Sequence, residues 1–168
     1  IEKWGFSQDM RAKNPELPNK KLEIIENPFG TWGGATKVIL VPAINPDVTI
    51  IHVQKADKYG TCRIEGLHFA DIDQVKAAKK VIVTCEEIVD TDQLRERPEH
   101  NSIPFIDVDA VVHVPFGAYP SACHNCYDYD PIYLRQISQF AKDDKLYKKY
   151  LAKFVYGVKN HQDLLKLV

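Results

Sequence analysis

The sequence has little that would direct it to nucleic acid, a membrane or a dinucleotide. The formal net charge is −1 over 168 residues, so we expect no overall attraction to nucleic acid or to an anionic membrane. No apolar run approaches the roughly 20 residues of a membrane helix, and no secretory signal peptide is visible. Gly30, Gly33 and Gly34 do not form the GxGxxG pattern, so a dinucleotide site is unsupported.

Cysteine is also scarce, with four residues in the whole chain. Cys123 and Cys126 have the CxxC spacing that suits zinc or redox chemistry. A tetrahedral zinc site needs further ligands, and the sequence has no second CxxC. We therefore favour reduced thiols over the zinc or redox alternative, and expect no bound metal and no cofactor. Reduced thiols are typical of a reducing compartment, which predicts a cytoplasmic protein.

The size and composition are those of an ordinary globular domain. Apolar residues make up 45% of the chain and charged residues 27%. The length predicts a single domain over residues 1–168, with enough apolar residues for a real core. The chain opens at Ile1 without an initiator methionine, and we interpret it as a piece of a longer protein.

Three apolar segments recur about every thirty residues: Val48–Val53, Val81–Cys85 and Val108–Val114. Each is rich in β-branched residues, which predicts strands, and we expect the first to be buried on both faces. Their spacing is typical of β-α-β units, so the predicted fold is α/β, with an open, mostly parallel sheet flanked by helices. Further short strands are predicted at Leu22–Ile25, Val38–Val41 and Thr61–Ile64, and helices at Phe69–Lys80, Ile132–Ala141, Lys145–Tyr156 and Asn160–Leu167. The residues expected to be buried in the central strands are Val81, Ile82, Val83, Val111 and Val112.

Polar residues follow the first of these strands, where it leaves the sheet. Ligands bind at the carboxyl edge of open parallel sheets, so we expect His52, Gln54 and Asp57 to border a substrate pocket. His113 ends a neighbouring predicted strand at a matching place and is a fourth candidate. Alternation puts His52 and Gln54 on one face of their strand. The alternative is that these two residues only satisfy backbone groups at the strand end.

Glu86 and Glu87 follow the second strand and form a pair of carboxylates. Carboxylates that share a desolvated site can serve as general acid and base. Adjacent residues of an extended segment point to opposite sides, however, so the two need not share a site. We favour a polar contact or a charge at a helix start over a catalytic role.

Two loops carry aromatic residues or glycines in unusual density. The loop from Asn27 to Gly34 includes Trp32 and three glycines, and a surface turn is favoured over a loop that lies against a ligand. The second loop has four rings, which predicts packing against another chain or another segment, because aromatic residues are enriched at interfaces. These rings belong to Phe116, Tyr119, Tyr127 and Tyr129.

Three long segments resemble the alpha subunit of family I coenzyme A transferases, glutaconate CoA-transferase in particular. They are Val41–Val89, His113–Pro131 and Phe154–Leu165, and they follow one another in the family's order. The glycine-rich first strand-loop of the family's alpha subunit is absent, so the resemblance is to the subunit's second half. The segment Trp32–Ala35 looks longer than the turn at this place in the glutaconate enzyme.

The resemblance implies the fold shared by these transferases and ribose-5-phosphate isomerase-like proteins, and it implies a partner, the beta subunit. It also implies ping-pong transfer of CoA between an acyl-CoA and a carboxylic acid, with coenzyme A as a substrate. The attacking glutamate belongs to the beta subunit in the heteromeric family, so we assign no catalytic residue to this chain and expect it to be inactive alone. A CoA-ester hydrolase on the same scaffold and a non-catalytic interaction module are the alternatives.

Overall fold

The computed structural model describes residues 22–30 and 34–167, and the chain divides after Asn45 into two compact units. In the first unit, strand β1 (Glu23–Glu26) pairs antiparallel with β2 (Lys37–Leu40). The two short strands predicted here are confirmed, each with its ends within one residue of the predicted ones. Trp32 and Gly33 of the glycine-containing loop lie outside the described residues. That the whole chain forms a single domain stays a prediction.

A four-stranded sheet forms the centre of the second unit. Its strands are β3 (Val48–Ala56), β4 (Cys62–Arg63), β5 (Lys80–Ile88) and β6 (Ala110–His113), in the spatial order β4-β3-β5-β6. The three long-spaced strands β3, β5 and β6 run parallel, whereas β4 folds back antiparallel to β3 as a hairpin arm. The predicted mostly parallel sheet is therefore confirmed.

Five helices and two single turns of 3₁₀-helix accompany the sheet in the described part of the chain. The helices are α1 (Asp71–Ala77), α2 (Thr91–Arg95), α3 (Pro131–Phe140), α4 (Asp144–Phe154) and α5 (His161–Leu165), and the 3₁₀ turns are Pro98–His100 and Phe105–Asp107. Asp130 caps α3 by accepting from two backbone amides, as its position before Pro131 predicts. None of these helices has both the length and the apolar character required to cross a bilayer.

Helix α1 is shorter than the predicted helix Phe69–Lys80. The backbone is already extended at Ala78, and the amides of Lys79 and Lys80 donate to the carbonyls of Pro46 and Asp47. Because of these bonds, the last turn of the predicted helix is extended and leads into the start of β5. Sheet pairing therefore overrides the helical pattern at this end.

One face of the sheet holds the core of the second unit. Ile51 and Val53 of β3 lie beside Val83 and Cys85 of β5, because paired residues of parallel strands share a face. Their side chains are at most 4% exposed and pack with Val75 of α1 and with Ile103. Burial of Val81 and Val83 is confirmed.

The opposite face is exposed over the first half of its strands, and we call the side chains of Val48, Ile50, Ile82 and Val112 the open face. Ile50 is 65% exposed and Val48 51% exposed, so the expectation that the first strand is buried on both faces is wrong. Val112 is also exposed, contrary to prediction. Ile82 on this face and Val111 on the core face are half-buried, which is less than the predicted burial. β6 is an edge strand of the described sheet, which leaves its side chains without a neighbour on one side.

Candidate functional site

Beyond the open face, the same side of the sheet becomes polar and is covered by a loop. His52 of β3 pairs with Thr84 of β5, and Glu86 lies two residues further along β5 on the same face. The loop between β6 and α3 contacts these side chains through Phe116, Gly117 and Tyr127. The carboxyl ends of two parallel strands and one loop thus enclose a polar cluster.

His52 and Glu86 form the closest polar pair of this cluster. The His52 Nε2 lies 2.6 Å from Glu86 Oε1, and the two side chains are 15% and 11% exposed. The other ring nitrogen, Nδ1, lies 2.8 Å from the Thr84 hydroxyl. Both nitrogens of the ring are therefore engaged, and the imidazole is fixed in orientation.

Glu86 also holds the covering loop. Its Oε1 accepts from the Tyr127 hydroxyl at 2.7 Å and its Oε2 from the Phe116 amide at 2.8 Å. Burial raises the pKa of Glu86, but the bonds from Tyr127, Phe116 and His52 outweigh burial and hold that pKa below its ordinary value. Phe116 has a φ of +59°, a backbone conformation rare for a residue with a side chain, and its bond to Glu86 fixes it there. The carboxylate is thus the junction between strand and loop.

Gly117 brings the loop backbone against the His52 ring. A Cβ atom at this position would lie 2.6 Å from His52 Cε1 and 2.8 Å from Nδ1. The absence of a side chain is therefore a condition for the observed position of the imidazole.

Replacing Gly117 by alanine should displace the His52 ring or the loop. We expect a loss of roughly 1–2 kcal/mol in the free energy of unfolding, because the added methyl overlaps the ring. Chemical denaturation measures this loss, and the His52 side-chain NMR signals report the displacement. An unchanged stability together with unchanged His52 signals would contradict the close approach.

A cavity of about 540 Å³ opens beside the polar cluster. His52 and Gln54 line it from the strand, and Leu67, Cys123 and His124 line it from the loops. The structure therefore brings His52 and Gln54 to one cavity. Their contact with a substrate stays a prediction.

Gln54 is 6% exposed and makes three hydrogen bonds to backbone groups. Its Nε2 donates to the carbonyls of Glu65 and His124, and its Oε1 accepts from the Glu65 amide. These are the backbone contacts that the sequence offered as an alternative for this residue. They tie two walls of the cavity to β3.

Asp57 and His113 lie apart from this cluster. Asp57 is 1% exposed in the β3–β4 turn, where its Oδ1 accepts from the amides of Tyr59, Gly60 and Thr61, and it lines a separate cavity of about 370 Å³. His113 is exposed and bonds to the Glu86 carbonyl. The expectation that His52 and His113 end neighbouring strands is wrong, because β5 separates β3 from β6.

Glu86 lies at the centre of the polar cluster, a role that the sequence analysis did not predict. Its position inside β5 rules out the helix-start interpretation, since the strand continues to Ile88. Alternation works as expected, because Glu86 is half-buried and Glu87 is exposed. Strand alternation places His52 and Glu86 on the same face of two paired strands. The sequence alone does not reveal this proximity, because it depends on the register between the strands.

The aromatic loop packs on its own chain, as predicted. The Phe116 and Tyr127 rings stack at 4.8 Å, and Tyr119 contacts Tyr133 of α3 at 5.6 Å. The Tyr119 hydroxyl also donates to Asp130 at 2.6 Å. Tyr129 is the exception, with 55% of its surface exposed.

Comparison with known proteins identifies the family of this chain. The family model described as Coenzyme A transferase matches residues 4–114. The alpha subunit of glutaconate CoA-transferase from Acidaminococcus fermentans is 40% identical over 98% of this chain and 50% of its own length. The crystal structure of that enzyme superposes with a TM-score of 0.85, covering 98% of this chain and 51% of the matched one.

Two further relatives have different reactions in their names. The corresponding subunit of 3-oxoadipate CoA-transferase from Pseudomonas knackmussii is 32% identical over 88% of this chain and 51% of its own length. The cholesterol ring-cleaving hydrolase IpdA subunit from Rhodococcus jostii is 28% identical over 91% of this chain and 52% of its own length. The chain therefore spans about half the length of these curated relatives. Since the family model covers most of this chain and the glutaconate subunit matches nearly all of it, the chain belongs to the coenzyme A transferase family.

Proposed function

We propose that this chain is part of the alpha subunit of a heteromeric CoA-transferase. The enzyme moves CoA between an acyl-CoA and a carboxylic acid, with a dicarboxylic acid such as glutaconate as the favoured acceptor. The observation that carries the proposal is the 40% identity to the alpha subunit of the glutaconate enzyme over 98% of this chain. The 3-oxoadipate relative, whose name contains another dicarboxylic acid, supports the same substrate class.

The cavity beside His52 is the proposed place for the acid or the acyl group. Its volume of about 540 Å³ suits a small dicarboxylic acid, and it lies at the carboxyl edge of the parallel strands. His52 and Gln54 already use their hydrogen-bond donors within the protein. We therefore propose that these two residues hold the pocket walls in place, while the imidazole of His124 is available at the rim.

The nucleophile is proposed to come from a partner, the beta subunit. In ping-pong transfer a glutamate attacks the thioester carbonyl, and the CoA thiolate leaves to give a mixed anhydride. Glu86 is unsuited to this attack, because both of its oxygens accept hydrogen bonds and its lowered pKa reduces the basicity of the carboxylate. In this proposal Glu86 positions the pocket, and the reacting carboxylate approaches from the partner.

Hydrolysis of a CoA ester is the second candidate. It is favoured by the 28% identity to the cholesterol ring-cleaving hydrolase subunit over 91% of this chain. The two reactions differ in the acceptor, which is a carboxylic acid in one case and water in the other. A non-catalytic interaction module, the third possibility, would support neither reaction.

The test is an assay of the full-length alpha subunit reconstituted with its beta subunit. We expect transfer of CoA from acetyl-CoA to glutaconate or another dicarboxylic acid, and parallel lines in initial-velocity plots. Release of free CoA without an acid acceptor would favour the hydrolase. No reaction with any acid or with water would leave the interaction module.

Gln54→Ala should raise the KM for the acid or lower kcat in that assay, because it frees both walls of the pocket from β3. Asn101→Ala is the matched control, since Asn101 also bonds through its amide but lies outside the pocket beside His52.

Leu67→Trp is a second test that spares the hydrogen bonds of Gln54. Leu67 lines the pocket and is 85% exposed, so the larger tryptophan side chain should obstruct the acid without unfolding the protein. Kinetics unchanged by both pocket variants would place the acid elsewhere.

A further inference from the structure

The fold brings the CxxC segment to the polar cluster. One ligand atom each from His52, Glu86 and Cys123 lie within 4.8 Å of one another. Cys123 is 6% exposed, and Cys126, three residues along the same segment, is exposed. The sequence offered two sulfurs without further ligands, and the structure supplies an imidazole and a carboxylate beside the sulfur of Cys123.

The turn that carries the two cysteines is well defined. Cys123 and Tyr127 exchange two backbone hydrogen bonds of 3.0 Å, and the Cys126 amide donates to the Cys123 carbonyl at 2.9 Å. Asn125 has a φ of +64°, the left-handed conformation that asparagine tolerates better than most residues. Both sulfurs are thus held on a tight hairpin anchored next to β5 by the bond from Tyr127 to Glu86.

Both ring nitrogens of His52 face oxygen atoms. The Nδ1 lies 2.8 Å from the Thr84 hydroxyl, and the Nε2 lies 2.6 Å from Glu86 Oε1. With the ring proton on Nδ1, the Nε2 presents a lone pair beside the carboxylate oxygen, and a metal ion can bind between the two atoms.

We propose that His52, Glu86, Cys123 and Cys126 form a binding site for a tetrahedral divalent cation, with Zn²⁺ as the preferred ion. Imidazole nitrogen, carboxylate oxygen and cysteine sulfur are the ligands that Zn²⁺ takes in proteins. With bonds of about 2.0–2.3 Å, neighbouring ligand atoms lie roughly 3.3–3.8 Å apart, which fits His52, Glu86 and Cys123 once the His52–Glu86 contact widens by under about 1 Å. Cys126 lies outside this three-residue group, so its exposed side chain has to turn toward the ion to supply the fourth ligand. Thr84 would orient the coordinated ring through Nδ1, as outer-shell partners of zinc histidines do.

Binding exchanges protons for the metal. The two thiols lose their protons when the ion binds, while His52 binds through Nε2 and keeps its ring proton on Nδ1, so two protons leave and no electron is transferred. Because the metal binds thiolates and not thiols, affinity should increase with pH over the neutral range. Four protein ligands leave no open position, which makes the site a structural clamp between the hairpin and the sheet. This inference does not depend on the proposed function.

The test is titration of the reduced protein with Co²⁺ under anaerobic conditions. We expect one equivalent to bind, with a thiolate-to-cobalt charge-transfer band and the intense visible bands of a tetrahedral ion, and Zn²⁺ to displace it. Cys123→Ser and His52→Ala should each weaken binding at least about tenfold, since ligand loss costs no less than loss of an outer-shell partner. Cys62→Ala and His113→Ala are the matched controls, because both residues lie outside the three-residue cluster and outside the CxxC segment, and binding should be unchanged.

Two results would overturn the site. One is the absence of a charge-transfer band after several equivalents of Co²⁺, with the thiols verified as reduced. The other is a band that persists in Cys123→Ser, which would place the cobalt on other sulfurs. Circular dichroism of each variant separates loss of ligands from loss of fold, and Cys126→Ser, at an exposed position, provides a ligand variant with little risk of unfolding.

Discussion

Replacing Ile51 by alanine should destabilise the protein by roughly 2–5 kcal/mol, the largest stability effect we expect. Ile51 is 4% exposed in the central strand β3 and packs in the core with Val53, Val75 and Val83. Its removal loses the transfer free energy of three carbon atoms and leaves a cavity that the surrounding core side chains can close only in part. Urea denaturation of the wild-type protein and the variant measures the difference.

The neighbouring residue Ile50 is a control of identical chemistry. It lies in the same strand but on the open face, with 65% of its surface exposed. Ile50→Ala should cost under about 1 kcal/mol, which is the span of strand propensity. If both variants lose the same free energy, then the assignment of the two faces is wrong. A large loss for Ile50→Ala only in the assembled enzyme would mean that another chain covers the open face.

The parallel sheet could be predicted because its signal is local. Apolar segments such as Val48–Val53 and Val81–Cys85, separated by helical patterns of suitable length, are typical of β-α-β units. Burial was harder to predict, because it depends on which side of each strand another layer covers. Ile50 and Ile51 have the same side chain in the same strand, and only the fold distinguishes their surroundings.

Only those residues of the candidate site that lie at the end of a predicted strand could be identified from the sequence. His52 and Gln54 were identified from their position after a buried run, and the structure places both at one cavity. Glu86 and Cys123 join His52 through the register of β5 and the return of a loop more than thirty residues later. These are long-range relations, which local patterns do not contain. The same limit explains why His113 was grouped with His52, although β5 lies between their strands.

Neutralising Glu86 should loosen the loop that covers the site. Glu86→Gln keeps the shape of the side chain but removes the charge that strengthens the bonds from His52, Tyr127 and Phe116. We expect a loss of roughly 1.5–3 kcal/mol at neutral pH, the range for hydrogen bonds to charged groups. Glu87→Gln is the matched control: Glu87 is the exposed neighbour on the opposite face, and its change should stay within about 0.5 kcal/mol.

The pH dependence of this loss gives a second check on the Glu86 carboxylate. Its pKa in the folded protein lies below the ordinary value of 4.5, so the unfolded chain binds the proton more readily than the folded one. The carboxylate therefore contributes its full stability above about pH 4.5, and that contribution disappears as the pH falls through the folded value. The difference between wild type and Glu86→Gln should be constant from pH 6 to 7 and shrink in acid. A difference that grows as the pH falls would mean that the folded protein holds Glu86 with a raised pKa, and the role of its ionised carboxylate as the junction between strand and loop would have to be abandoned.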